Sequence, residues 1–307
     1  MSNILVSVVM PCYNCEKTII RALDSIKVNS QTGYEVICVD DCSKDNTKQL
    51  IEKYINESKK NIQYFRNDIN LGAGETRNAA IAKAQGHYIV FLDSDDYFAD
   101  GAVDKLLKLA QNDYDLIVFD ASIVNKGTLP MYFTKSIKTG IVDQKKNFVF
   151  VRGCTCGKMY KRELILNNNI KFGNIKINED LMFTKRASAV ARSIFYVEDA
   201  LYCYDMGNTQ SLMHNHSNDN TDFEDIAFMA IKDFVDGMGL EKELNSLYFL
   251  EVLYGKTKND LFSRKKYKIR KQEFKVRKMQ YDCNNIYFKD YLRKYKIMYY
   301  FFNVLYR

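Results

Sequence analysis

The sequence of 307 residues predicts an α/β fold, with a mostly parallel central sheet flanked by helices and a helical extension at the C-terminus. Over residues 1–120, apolar β-branched runs alternate with segments whose apolar residues recur at helical spacing. The runs are apolar on both faces, which is typical of parallel strands that helices cover on each side. After residue 222 the pattern is helical and becomes rich in basic and aromatic residues.

Five apolar runs mark the predicted strands of the sheet. They are Leu5–Met10, Val36–Val39, Ile62–Phe65, Tyr88–Leu92 and Leu116–Phe119. The segments between them present apolar helix faces within residues 19–26, 50–55, 79–84 and 103–110. Because open parallel sheets bind ligands beyond the carboxyl ends of their strands, the residues at those ends are the candidate site.

The pattern is less regular between residues 121 and 200. Short apolar runs occur at Asn147–Val151 and Ile194–Val197, on either side of a helical segment over Asn178–Val190. The pattern predicts a helix at 178–190 but does not predict how the segments on either side of it are arranged.

A polar stretch over residues 205–222 predicts a loop at a domain edge. Thr221 and Glu224 then form a capping-box pattern, which starts a helix that continues to about residue 235. We therefore divide the chain into an α/β domain over 1–215, which contains the candidate site, and a basic, aromatic-rich helical region over 216–307.

The formal net charge of +7 is unevenly distributed along the chain. Residues 256–307 carry 16 Lys and Arg against 4 Asp and Glu, whereas residues 1–255 carry 29 against 34. Aromatic residues recur at helical spacing over 281–307, so this tail either contacts an anionic membrane surface or packs on the body or on a second copy of the chain. No nucleic-acid-binding motif accompanies the charge, so nucleic acid is not an expected partner.

The eight cysteines are expected to be reduced thiols of a cytoplasmic protein. The chain starts with a strand-like pattern instead of a signal peptide, and no apolar run is long enough to span a membrane. The pairs Cys12–Cys15 and Cys154–Cys156 lack the histidines or second pair that a zinc site needs. The expected location is the cytoplasm, with the inner face of the cell membrane as a peripheral site if the tail binds lipid.

Acidic residues follow two of the predicted strands. Asp40–Asp41 ends the second strand and Asp93–Asp96 the fourth, while Pro11–Asn14 ends the first. Neither a dinucleotide-binding Gly-x-Gly-x-x-Gly nor a P-loop is present. Carboxylates at this edge favour a divalent cation, Mg²⁺ or Mn²⁺, shared with an anionic substrate, and the alternative is turn or helix-capping residues. A third acidic pair, Glu179–Asp180, opens the predicted helix, where the dipole favours ionised carboxylates.

These segments together resemble the family 2 glycosyltransferases, which have the Rossmann-like GT-A fold. The resemblance covers residues 4–183, about two-thirds of the chain. The segments that carry it are Val8–Asn14, Val36–Ser43 with its Asp-Asp pair, Asn70–Gly72 with Arg77–Asn78, the Asp-x-Asp motif in Asp93–Asp96, and Asn178–Phe183 with its Glu-Asp pair.

The resemblance implies an inverting, metal-dependent transfer from a UDP-sugar to a hydroxyl group of a saccharide or lipid-linked acceptor, in the synthesis of surface polysaccharide. It implies Asp180 as the general base, Glu179 as a residue that orients the base or contacts the acceptor, and Asp95 as the ligand of Mn²⁺ or Mg²⁺. Asp41 would bind the uracil edge and Asp93 the ribose. The other implied nucleotide-binding residues are Pro11, Tyr13, Asn14, Arg77 and Ser94.

The chain departs from the family pattern at several positions. Cys42 replaces a glycine and Thr76 a small residue, and Asp205 stands where many relatives have an arginine that would contact the diphosphate. The candidates to replace that arginine are Lys158, Arg152, His214 and His216. Two other functions stay open at this point: a nucleotidyltransferase, and an inactive scaffold that binds sugar nucleotides.

Overall fold

One mixed sheet organises the part of the chain that the structure, a computed structural model, describes: residues 4–29, 33–132, 137–175, 178–207 and 223–247. Its strands are β1 Val6–Cys12, β2 Tyr34–Asp40, β3 Ile62–Arg66, β4 Tyr88–Phe91, β5 Tyr97–Phe98, β6 Leu116–Ile123, β7 Gly127–Leu129, β8 Gly140–Ile141, β9 Lys158–Lys161 and β10 Ile194–Tyr204. All five predicted strands are confirmed, and with them the α/β fold.

Helices connect the strands. They are α1 Ile19–Ser25, α2 Thr47–Glu57, α3 Ala73–Lys83, α4 Ala102–Leu109, α5 Gln144–Phe150, α6 Arg162–Asn167, α7 Glu179–Val190, α8 Phe223–Val235 and α9 Glu241–Leu247. The predicted helix at 178–190 is therefore confirmed as α7. The apolar run at 147–151 lies mostly in α5, and the run at 194–197 opens β10.

The strand order is β3-β2-β1-β4-β9-β6-β10-β5, with β7 paired to β6 and β8 to β10. Strands β3, β2, β1 and β4 are all parallel, as the sequence predicts. The antiparallel strand β9 lies between β4 and β6, so β6 is not the direct neighbour of β4. The long strand β10 then pairs in parallel with β6.

The described part of the C-terminal region packs on the body of the fold. Helix α8 contacts α7, and α9 contacts α5. Ala227, Ile231 and Leu244 are buried there, and Arg186 of α7 donates to the carbonyl of Ala230 over 3.2 Å. The proposed boundary at 215 and the basic tail at 281–307 lie outside the described residues, and the division into two domains stays a prediction.

Candidate active site

The carboxyl ends of β1, β2 and β4 meet at one edge of the sheet. Parallel pairing sets Cys12 opposite Asp40, and the N–H of Asp41 donates to the carbonyl of Cys12 over 2.8 Å. On the other side of β1, β4 leads into the turn of residues Asp93–Asp96, which we name the acidic turn. Three segments that the sequence singles out are therefore neighbours in space.

Asp41 is a buried carboxylate that holds the loop before α3. Its Oδ1 accepts from the N–H of Leu71 over 2.8 Å and from Asn67 over 2.9 Å, and its Oδ2 accepts from the N–H of Gly72 over 2.8 Å. Asp45, and not Asp41, accepts from the first N–H of α2, at Thr47. A carboxylate oxygen has two lone pairs, so Oδ2 keeps one acceptor direction for a ligand.

The turn after β1 is joined to the turn after β2 through Asn14. The N–H of Asn14 donates to the hydroxyl of Ser43 over 2.9 Å, and its side-chain oxygen accepts from the N–H of Lys44 over 2.8 Å. Asn14 has a φ of 47°, in the left-handed region that asparagine tolerates. The neighbouring Tyr13 is 47% exposed, so its ring is open to a ligand, and Pro11 is partly exposed beside it.

Arg77 connects the acidic turn to the first residue of α7. Its guanidinium donates to Asp93 over 2.6 Å and to Glu179 over 3.2 Å, and its side chain is only 9% exposed. The ring of Phe172 lies 5.5 Å from the guanidinium carbon. Burial alone lowers the pKa of Arg77, but the charges of Asp93 and Glu179 outweigh burial and raise that pKa.

Glu179 and Asp180 are adjacent, partly buried carboxyl groups at the start of α7. Burial first, and the charge of Asp180 second, raise the pKa of Glu179 to about 7, against the lowering effect of Arg77. Burial also raises the pKa of Asp180, while Arg77 and the N–H of Leu181 oppose that rise. Raised carboxyl pKa values are typical of groups that exchange protons near neutral pH.

The raised pKa of Glu179 makes the stability of the fold depend on pH. A carboxyl whose pKa is raised on folding favours the folded state most at a pH below its pKa in the unfolded chain, here 4.5. This contribution is lost as the pH rises through the folded-state pKa of about 7. Glu179→Gln has no charge to bury. As the pH rises from 5 to 8, the free energy of unfolding of this variant should therefore increase relative to that of the natural chain, by up to about 3 kcal/mol. Urea unfolding of both proteins at the two pH values measures this, and a difference independent of pH would contradict it.

The second half of the acidic turn is held from β10. Asp96 is buried and accepts from the hydroxyl of Tyr202 over 2.5 Å and from the N–H of Asp205 over 2.8 Å. Burial and the charge of Asp93 raise the pKa of Asp96 to about 8, against the hydrogen bond from Tyr202. No role for Asp96 or Tyr202 can be predicted from the sequence, because the two residues meet only when β10 pairs with the rest of the sheet.

The residues around Asp95 fit a cation that arrives with its substrate. Asp95 is partly exposed, whereas Asp93 pairs with Arg77 and Asp96 is buried. Within the described ranges, no three Asp, Glu, His or Cys side chains form a ready metal cluster. Mg²⁺ often binds through one or two carboxylates plus substrate phosphates, so the side chain of Asp95 suits that arrangement. Ser94, between the two aspartates, is partly exposed as well.

Arg21 of α1 is the cation that pairs with Asp205. It donates to the Asp205 carboxylate over 2.5 Å and to the backbone carbonyl of Asp95 over 2.6 Å. Of the residues that the sequence suggested here, Lys158 is fully buried and bonds to backbone carbonyls, and Arg152 donates to the carbonyl of Pro130. The other two, at 214 and 216, lie outside the described residues. Arg21 carries no motif, so only the fold brings it to the acidic turn.

A match to a known protein family identifies the kind of enzyme to which this site belongs. The family model described as "Glycosyl transferase family 2" matches residues 7–167, which contain the ends of β1, β2 and β4. The chain belongs to glycosyltransferase family 2. The resemblance drawn from the motifs is thereby confirmed, and the nucleotidyltransferase alternative falls away.

Two curated relatives act on the same kind of polymer. The chain is 32% identical over 203 residues to the poly(ribitol-phosphate) beta-N-acetylglucosaminyltransferase TarS of Staphylococcus aureus, covering 64% of this chain and 35% of TarS. It is 33% identical over 206 residues to a poly(ribitol-phosphate) beta-glucosyltransferase of Bacillus spizizenii, covering 65% of this chain and 32% of that enzyme. The chain thus spans about a third of the length of these relatives.

Solved structures of TarS residues 1–349 share the fold. Their crystal structure superposes with a TM-score of 0.70 at 26% identity, over 89% of this chain and 78% of that chain. The complex with UDP-GlcNAc gives a TM-score of 0.73 at 25% identity, over 88% of this chain and 80% of that chain. The GT-A fold is therefore established for this glycosyltransferase.

Proposed function

We propose that this glycosyltransferase moves a sugar from a UDP-sugar to a hydroxyl group of a saccharide, polyol-phosphate or lipid-linked acceptor, with inversion at the anomeric carbon. The observation that carries the proposal is the buried bridge from Asp93 through Arg77 to Glu179. It fixes the edge of the sheet where the nucleotide would bind, at the carboxyl ends of β1, β2 and β4, against the N-terminus of α7. Asp180, next to Glu179, is thereby held beside the acidic turn, as a general base needs to be.

The donor edge has the groups that a uridine nucleotide needs. Asp41 keeps an acceptor direction for the N–H of uracil, and the exposed ring of Tyr13 offers a stacking surface. Asp93 would accept from the ribose, and Pro11, Asn14 and Ser94 shape the pocket around it. The structural neighbour TarS binds UDP and UDP-GlcNAc, which supports UDP as the nucleotide.

Asp95 would hold Mn²⁺ or Mg²⁺ together with the diphosphate of the donor. A cation held there would offset the negative charge that develops on the leaving UDP. The chain's own part is to present the carboxylate of Asp95 from a turn that is fixed on both sides. Arg21 binds the backbone of that turn, and Arg77 binds Asp93.

Asp180 would take the proton of the acceptor hydroxyl while that oxygen attacks the anomeric carbon. A carboxylate can serve because the proton becomes acidic only as the bond to carbon forms. Glu179, held by Arg77, would orient Asp180 or contact the acceptor. The two relatives named above form beta linkages on poly(ribitol-phosphate), which supports a hydroxyl-rich, anionic acceptor polymer of the cell surface.

The acceptor chemistry also suggests where the enzyme works. We expect it in the cytoplasm, with the tail at 281–307 either on the inner face of the membrane or on another protein surface, including a second copy. Among the described residues, none of the helices is long and apolar enough to cross a membrane. Co-sedimentation with anionic liposomes tests the membrane alternative, and equal recovery of a chain ending at residue 280 would exclude it.

Calorimetric titration with UDP and Mn²⁺ tests the donor site. We expect UDP to bind tightly only with the cation, and Asp95→Ala to weaken that binding by about 10–100-fold, since a lost carboxylate ligand costs a few kcal/mol. Asp199→Ala is the matched control, because that carboxylate is exposed and pairs with Lys105 on the surface. Equal, cation-independent UDP affinity in the natural chain and in Asp95→Ala would refute the metal role.

A further inference from the structure

Two thiols lie in the wall beside the proposed general base. Cys154 and Cys156 are in the loop of residues 152–157, between α5 and β9, and both are reduced and partly exposed. The charge of Asp180 acts on Cys154, and the charge of Asp93 acts on Cys156. Both thiols therefore lie within electrostatic reach of the carboxyl groups of the site.

A buried lysine closes this loop on itself. The amino group of Lys158, which is fully buried, donates to the carbonyl of Cys154 over 2.6 Å and to the carbonyl of Cys156 over 3.2 Å. The same nitrogen lies 3.9 Å from Cys154 Sγ. The carbonyls of both cysteines therefore bind one cation, and the thiol of Cys154 lies 3.8 Å from the carbonyl oxygen of Cys156.

The two thiols differ in character. The hydrogen bond with Cys156 is the main cause that lowers the pKa of Cys154 to about 7, and the charge of Lys158 lowers it further against the effect of burial. The pKa of Cys156 is raised, first by the hydrogen bond with Cys154 and then by burial. A thiol with a lowered pKa beside a cation is the more nucleophilic of such a pair.

The loop is also the support of α7. The carbonyl of Cys154 accepts from the hydroxyl of Thr184 over 3.2 Å. A Cβ placed on Gly153 would lie 2.5 Å from Cδ1 and 3.3 Å from Cα of Leu181, the residue after Asp180. Any change in the backbone of this loop therefore displaces the helix start that carries the general base.

We propose that Cys154 and Cys156 form a modification site, an oxidisable dithiol whose conversion to a disulfide by a peroxide stops sugar transfer. The thiolate of Cys154 attacks one oxygen of hydrogen peroxide, forming a sulfenic acid and releasing hydroxide. The thiol of Cys156 then attacks the sulfenic sulfur, the S–S bond forms, and water leaves. The released hydroxide takes up the proton that Cys154 lost on forming its thiolate, so that both sulfurs are oxidised and one peroxide is reduced to two waters.

The disulfide is of the readily reversible kind. Only Thr155 separates the two cysteines, so the closed ring is short and strained, and strained disulfides are the easily reduced ones. Closing it turns the carbonyl of Cys154 away from Thr184 and Lys158, and moves the loop against Leu181. A shift of about 1 Å at a catalytic group costs on the order of 10²-fold in rate.

The experiment treats the full-length chain with hydrogen peroxide, blocks free thiols with N-ethylmaleimide, and maps peptides by mass spectrometry. We expect a 154–156 disulfide, a loss of UDP-sugar turnover of about 10²-fold, and recovery of both with dithiothreitol. Cys154→Ser and Cys156→Ser should keep turnover and resist this reversible loss. Cys203→Ser, which removes a partly exposed thiol bonded to Ser122, is the matched control and should behave like the natural chain.

The effect on turnover rests on the proposed function, but the disulfide is detected independently of it. Absence of the 154–156 disulfide would overturn the proposal, and so would a disulfide that leaves turnover unchanged. Failure of the reduced protein to bind UDP would instead refute the proposed function. Peptide mapping would still decide whether the 154–156 disulfide forms. Slower alkylation of Cys154 in the presence of UDP-sugar and Mn²⁺ is expected, because its loop packs against the start of α7 beside Asp180, and equal rates would contradict that placement.

Discussion

Asp180→Asn is expected to reduce turnover by about 10²–10⁴-fold while UDP-sugar affinity stays unchanged. Asparagine keeps the shape of the side chain and can still accept from the N–H of Leu181, but it cannot take a proton. The proposed donor contacts at Asp41, Asp93 and Asp95 are not altered. Single-turnover release of UDP in the presence of acceptor, together with calorimetry of UDP-sugar binding, separates the two effects.

Asp120→Asn is the matched control for this change. Asp120 is also a buried carboxyl with a raised pKa, caused first by burial, but it bonds to the N–H of Met131 and to Tyr196 in β10. Its variant should keep turnover. If Asp180→Asn turns over like the natural chain, Asp180 is not the base. If the natural chain binds UDP-sugar but releases no UDP with any acceptor, the inactive scaffold is the correct alternative.

Arg77→Met is expected to have the largest effect on stability, lowering the free energy of unfolding by about 3–5 kcal/mol. The change leaves Asp93, Glu179 and Asp180 close together without their shared cation, and Glu179 is already largely buried. UDP affinity should fall as well, because Asp93 loses its fixed position at the edge of the sheet where the nucleotide is proposed to bind. Urea unfolding and UDP calorimetry measure the two losses.

Two further variants distinguish the effect of the buried Arg77 bridge on stability from the effect of an exposed surface ion pair. Lys105→Met removes a surface pair with Asp199 and should cost at most about 1 kcal/mol. Arg77→Met combined with Glu179→Gln should recover part of the lost stability, since one of the unpaired charges is gone. An Arg77→Met protein as stable as the Lys105→Met protein would show that the bridge does not hold the site together.

Local pattern was sufficient to predict the parallel half of the sheet and α7. Strands β1 to β4 are continuous apolar runs, and the acidic residues follow them directly in the sequence. Asp93 and Glu179 could be singled out for the same reason, since each stands at the end or the start of a regular element. Their connection through Arg77 could not, because it joins residues 102 positions apart.

The rest of the site depends on contacts that no local pattern encodes. Arg21 reaches Asp205 across 184 positions of sequence, and α1 carries no sign of that role. Lys158 is a candidate diphosphate ligand by its charge, but it is fully buried and bonded to backbone carbonyls. The sequence does not reveal that burial. Asp41 could be singled out because it directly follows β2, and the resemblance implies that it binds the uracil edge. The structure adds that it supports the loop at Leu71–Gly72.

The anomeric configuration of the product tests the central claim most directly. Proton NMR of the material formed from an α-linked UDP-sugar, Mn²⁺ and poly(ribitol phosphate) reports which configuration the transferred sugar has. A single displacement with Asp180 as base predicts a β linkage. An α linkage would contradict the account, because it would require either a second displacement or attack from the side of the leaving UDP.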